Sequence, residues 1–250
     1  MRSWIAALII GSLGLSLLSC HKSESPKEYS KTMVVLVDYS ESARNARQGY
    51  MDSFKKVTSQ IKTGDHIFVW KITELSEMES KPIIDEHFPF PPPAKNEFYR
   101  KQAIAKAEKD MRVRLEEIEK MMHALLDSEE QLSKRTAILG SLQVAERVFK
   151  TEKKNKAVLI IVSDMIEDSS EYNFEREKLS NRRITEIIAL ERNKRRLPDL
   201  NGVEGYVVGV KASDREKYYN IQNFWLRYFK ECGAHLSKEN YGSVLLNFNE

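Results

Sequence analysis

The chain has 250 residues, 41% hydrophobic and 31% charged, with a formal net charge of +3. That length holds one large α/β domain, or at most two small ones, with a substantial core, and the composition is that of a globular protein. The near-neutral balance does not argue for a dedicated nucleic-acid binder, which usually carries a strong basic excess on one face, so no nucleic-acid partner is expected.

The N-terminus is a targeting segment: Arg2 gives a short positive region, and residues 4–18 are apolar, as in exported proteins. The run is short for a membrane-spanning helix. Leu17-Leu18-Ser19-Cys20 resembles the lipobox of bacterial lipoproteins. The resemblance implies a signal peptide over 1–19 that is removed, and diacylglycerol and palmitate-type lipid on Cys20. The membrane contact is then an N-terminal lipid anchor in the bacterial cell envelope. His21 in place of Asp favours the outer membrane and periplasmic face over the inner membrane. With Cys20 lipidated, Cys232 has no disulfide partner, and its neighbours Phe229 and Gly233 mark it as a small buried hydrophobe. Residues 20–31 are polar, contain Pro26, and form a tether to a domain over 32–250.

The spacing then predicts alternating elements. A buried strand over 33–37 runs into Asp38. A helix over 43–61 follows, with Ala46, Tyr50, Phe54, Val57 and Ile61 on one face. A turn at Gly64 and Asp65 leads to a strand over 66–72. Pro82 and the proline-rich 89–93 stop any helix or central strand, leaving at most an edge strand over 81–85. Phe88 and Phe90 there either pack over the sheet edge or form a recognition loop. An amphipathic helix over 98–126 carries Ile104, Met111, Leu115, Ile118, Met122 and Leu125 as a core-packing stripe. Thr136 opens a helix over 137–149, and 157–162 is an apolar strand that ends in Ser163 and Asp164. A helix over 175–193, a strand over 205–210, a helix over 214–232 and strand-like pieces at 234–236 and 243–248 complete the chain. This alternation predicts an α/β fold: a doubly wound, mostly parallel central sheet flanked by helices, with a helical insertion before the Thr136 loop.

Chemistry concentrates at two strand ends. Asp38, Ser40 and Ser42 place three hard oxygen donors within five residues, and open α/β sheets bind ligands at that edge. Asp164 ends a second buried strand, and Thr136 lies in the loop that leads toward it. Two carboxylates brought together there repel and raise one another's pKa unless a cation separates them. Oxygen donors of this kind suit Mg²⁺, with Mn²⁺ or Ca²⁺ as alternatives.

Asp38-x-Ser40-x-Ser42, Thr136 and Asp164, in that order and context, resemble the metal-ion-dependent adhesion site of the von Willebrand factor type A family. The resemblance spans about 31–248. It implies a doubly wound domain in which Ser40 and Ser42 bind the ion directly. Asp38 and Asp164 act partly through water, and Thr136 acts directly or through water. A coordination position is left for a carboxylate of a protein partner. The chain departs from the family pattern at Ser133, Lys134 and Arg135, where glycines precede the Thr, and at Met165, where Gly follows the Asp. The expected function is a lipid-anchored binding module and not an enzyme. The alternatives are a metal-dependent hydrolase using the same site and a metal-independent envelope scaffold.

Overall fold

A computed structural model describes residues 30–128, 132–152, 156–210, 214–245 and 248. The targeting segment, Cys20 and tether residues 20–29 lie outside the described residues.

Four apolar runs rich in β-branched residues form the centre of one sheet. They are β1 (Lys31–Asp38), β2 (His66–Ile72), β4 (Lys156–Val162) and β5 (Val203–Val208). All four are parallel, and short strands close the edges. β3 (Ile84–His87) runs antiparallel beside β2, and β6 (Tyr241–Gly242) runs parallel beside β5. The order is β3-β2-β1-β4-β5-β6. The fold is therefore doubly wound, and its winding reverses between β1 and β4, where such sheets open a crevice at the carboxyl ends of the strands.

Side chains alternate between two cores. Met33, Val35 and Val37 of β1 pack with Phe54 and Val57 of α1 (Arg47–Thr58) and with Ile118 and Met122 of α2 (Glu97–Asp127). Val34 and Leu36 pack instead with α3 (Ile138–Thr151), α4 (Asn181–Asn193) and α5 (Arg215–Glu231). Burial on both faces is why these strands are continuous apolar runs instead of alternating ones.

Several boundaries differ from the sequence reading. β1 begins at Lys31, the last residue assigned to the tether; its backbone N–H donates to Asp65 Oδ1 at 2.9 Å. The helix expected over 43–61 opens as a 3₁₀ turn, Ser42–Ala46, before α1. The amide of Glu41, just ahead of it, is committed to the Ser133 carbonyl at 3.0 Å, a tertiary bond that no helix periodicity reveals. The helix expected from 175 starts at Asn181, where Ser180 accepts the Arg183 N–H as an N-cap; Phe174 and Leu179 ahead of it are buried in loop conformation. β3 lies beyond Pro82, which has no N–H for the ladder. The stretch 243–245 carries no strand, and 246 and 247 lie outside the described residues. Phe88 is buried, and half-buried Phe90 sits on Gly64, so this loop packs over the sheet edge. Helix α2 has 31 residues, about 46 Å at 1.5 Å per residue. Only Ile118, Met122 and Leu126 are buried along it. The apolar stripe is thus core at its C-terminal third, while Ile104 stays only half-buried.

Candidate metal centre

Asp38 is the last residue of β1 and is fully buried. Its Oδ1 accepts the Ser40 amide at 3.0 Å, and its Oδ2 accepts the Ser163 hydroxyl at 2.8 Å. Burial raises its pKa. Bonds from Ser40 and Ser163, and the Arg47 charge, pull the other way without cancelling that effect. Arg47 is itself nearly buried and donates through Nη1 to the carbonyls of Leu126 and Ser128, at 3.0 and 2.9 Å. It ties the start of α1 to the end of α2 and supplies a fixed positive charge on that side.

The two serines meet. Ser40 Oγ lies 3.0 Å from Ser42 Oγ, with Ser40 buried and Ser42 exposed. Asp164 follows β4 and is partly exposed. Its Oδ1 accepts the Ile166 amide at 2.9 Å, and its Oδ2 has no hydrogen-bond partner among the described residues. Burial, and next the Asp38 charge, push its pKa up to about 7. Parallel pairing of Val37 with Val162 puts the residues that follow, Asp38 and Ser163, side by side. The two aspartates therefore flank the switch point, as the spacing predicted.

The Thr136 loop is laced to both. Ser133, standing where the resemblance expects glycine, donates its amide to the Tyr39 carbonyl at 3.1 Å. Its Oγ accepts the Glu74 amide at 2.9 Å and donates to the Arg135 carbonyl at 2.6 Å. Thr136 and Asp168 exchange backbone bonds, each 2.9 Å. Thr136 is buried, and its hydroxyl makes no hydrogen bond among the described residues. The structure thus carries all five predicted residues to the same edge of the sheet.

Sequence reasoning missed the residues that hold this arrangement. Ser163 bridges the halves: it donates to Asp38 and accepts the Met165 amide at 3.0 Å. Met165 takes a left-handed conformation, φ 67°, at the position where the resemblance expects glycine. The side chain is fully buried, and its carbonyl accepts the Trp225 indole N–H at 2.9 Å, which offsets the backbone strain. Glu167 is fully buried, and Oε2 accepts the Leu139 amide at 3.0 Å. It caps α3, whose N-cap residue Ala137 offers no side-chain acceptor. Burial pushes the Glu167 pKa up to about 7 against those helix amides. No periodic pattern marks such a remote cap. Glu167→Ala, which strands a helix-start N–H, is expected to lower unfolding free energy by about 2 kcal/mol in urea titration. Glu167→Gln keeps an acceptor and should recover most of that loss.

The donor set fits a hard divalent cation. Among the described residues no group of three or more His, Cys, Asp or Glu is gathered, so the site is two carboxylates plus hydroxyls, not a carboxylate or thiolate cage. A cation between Asp38 and Asp164 would offset the desolvation that raises both pKa values and the Asp38 charge that further raises that of Asp164.

No family model and no curated protein matches the sequence. Among solved structures, the chain is similar to the PilB minor pilin of Streptococcus sanguinis, with a TM-score of 0.50 and 9% identity over 90% of this chain and 59% of that one. It is also similar to a von Willebrand factor type A protein from Catenulispora acidiphila, with a TM-score of 0.39 and 12% identity over 82% of this chain and 43% of that one. A third likeness is to proximal thread matrix protein 1 of the mussel byssus, described with a zinc-occupied metal-ion-dependent adhesion motif. Its TM-score is 0.39, with 14% identity over 77% of this chain and 39% of that one. The chain spans less than two thirds of each of these structures. At 9% identity the likeness to the pilin is one of fold alone.

Proposed function

We propose that the protein is a von Willebrand A-like binding module that holds a divalent cation, Mg²⁺ before Mn²⁺ or Ca²⁺, through Asp38, Ser40, Ser42, Thr136 and Asp164. It captures a carboxylate of a protein partner on that ion. The observation that carries the reading is the pair of desolvated aspartates at the switch point, both with raised pKa values, beside paired serine hydroxyls. Neutral hydroxyls leave the ion electrophilic enough to take an external carboxylate. Exposed Leu75 and Met78 follow β2, and the neighbouring Glu74 amide is bonded to Ser133. Leu75, next to Glu74, offers an apolar contact at this edge, so a partner's acidic side chain flanked by apolar residues fits best. The lipobox-like Cys20 supports anchoring of this module in the bacterial envelope.

The test is an array of synthetic peptides, each carrying Asp or Glu between apolar residues, paired with its Asn or Gln counterpart. Binding of acidic members in Mg²⁺ and its loss in EDTA is the expected result. Equal capture of acid and amide forms, or capture indifferent to EDTA, contradicts the reading and favours a metal-independent scaffold.

A further inference from the structure

Tyr50 lies on α1 and is 1% exposed. Its hydroxyl is buried without a hydrogen-bond partner. A buried polar group left unpaired costs roughly 1–3 kcal/mol, so phenylalanine would suit the metal-free protein as well or better. The ring's location shows what the hydroxyl faces. A Cβ added at Gly209 would come within 2.6 Å of Tyr50 Cε1 and 3.3 Å of the Ser163 carbonyl. Gly209 has φ +93° and keeps that space open. The ring, Gly209 and the Ser163 turn therefore share one contact region, and Ser163 is the residue that bonds Asp38 and precedes Asp164. Burial, and then the charges of Asp38 and Asp164, push the phenol's pKa far above the ordinary value. The Asp164 backbone amide pulls the other way, close enough to act on the phenol but outside hydrogen-bond geometry.

An orphaned phenol is not by itself a sign of a ligand. Tyr228 has one too, on the opposite face of the sheet among the α5 aromatics. What distinguishes Tyr50 is that its unpaired O–H lies by the Asp164 backbone, within electrostatic reach of both carboxylates on which the ion site depends. We infer that Tyr50 is a positioning residue for that site, its O–H donating to the oxygen shell, carboxylate or water, that Asp38 and Asp164 assemble around a bound divalent cation. The inference rests on the ion reading proposed above. It explains why a hydroxyl is kept where the metal-free fold gains nothing from it. Outer-shell partners of this kind typically change metal affinity 10–100-fold.

The experiment is Mg²⁺ titration calorimetry at pH 8 on the wild type, Tyr50→Phe and Tyr228→Phe, with melting of each in EDTA. Tyr50→Phe is expected to bind Mg²⁺ about tenfold more weakly, with an EDTA melting temperature equal to or above that of the wild type. Tyr228→Phe, the same loss of an orphan hydroxyl far from the ion, is expected to bind as the wild type does. Equal Mg²⁺ affinity for Tyr50→Phe and wild type overturns the role of Tyr50 alone. So does a drop in its EDTA melting temperature in step with the affinity, which marks a packing role, or an equal weakening in Tyr228→Phe. A wild type with no saturable Mg²⁺ binding overturns the ion reading, and the role of Tyr50 with it.

Discussion

Asp38→Asn is expected to remove most of the stabilisation of the protein by Mg²⁺ while leaving the metal-free protein as stable as the wild type, or more so, at pH 8. The substitution is nearly isosteric. The amide oxygen can still accept the Ser40 N–H, and the amide nitrogen can donate to Ser163 Oγ, so the first contact of the buried side chain is kept and the second is kept with its direction reversed. What disappears is a charge that burial already disfavours. Metal binding depends on that same charge. If outer-shell changes weaken ion sites 10–100-fold, loss of a ligand's charge should weaken Mg²⁺ by about 100-fold or more. The measurement is thermal melting at pH 8 with and without millimolar Mg²⁺. A wild type at about 100 times its Kd gains about 2.7 kcal/mol, and Asp38→Asn, bound at least about 100-fold more weakly, should keep no more than about 0.4 kcal/mol of it. An undiminished Mg²⁺ shift in the variant would remove Asp38 from the ligand set.

The metal-free protein should also lose stability as pH rises, the reverse of a fold held by ionised carboxylates. The Asp164 and Glu167 pKa values stand at about 7 in the folded chain, against about 4 when unfolded. Between those values the folded state binds protons that the unfolded state has released, so unfolding free energy falls with pH across that window. The loss is complete above about pH 7. A tenfold change in proton affinity between the two states corresponds to about 1.4 kcal/mol, and solvent access and relaxation reduce the realised effect to the order of 2 kcal/mol per group. Glu171, held down at about 2 by Arg196 and Lys194, contributes with the opposite sign, but only as pH falls below the ordinary carboxylate range. Melting in EDTA from pH 5 to 8 should therefore fall, and Asp164→Asn should remove part of the slope. Saturating Mg²⁺ should offset the fall above pH 7, where the ligands are ionised. A rising EDTA profile would show that these carboxyls are not desolvated.

Much of this was legible in the residues because the chain states it locally. The four central strands are continuous apolar runs, and parallel strands buried on both faces read that way. Asp38 and Asp164 sit at their ends, so the doubly wound order alone brings them together. Helix α2 announced itself by length and period, and Asn96 caps it as a local rule allows. Other features are set by distant contacts and leave no periodic trace. The 3₁₀ start of α1 follows a backbone bond between Glu41 and Ser133, 92 residues apart in sequence. Glu167 sits in an ordinary loop sequence, yet it caps a helix that begins 29 residues earlier. Met165 showed the opposite hazard. It departs from the glycine the resemblance expects, yet the left-handed backbone is kept and stabilised by Trp225. Tyr50 looked like one more core residue on a helical stripe, and only its unpaired hydroxyl sets it apart.

Everything proposed for this site requires that the switch-point aspartates and serines hold an ion. Calorimetric titration of Mg²⁺ into the metal-free wild-type protein at pH 8 tests that most directly. Saturable binding of one ion per chain, weaker at pH 6 where Asp164 is protonated, is the result expected. The absence of saturable heat at either pH would contradict it and leave the carboxylate pair as an unrelieved feature of the fold.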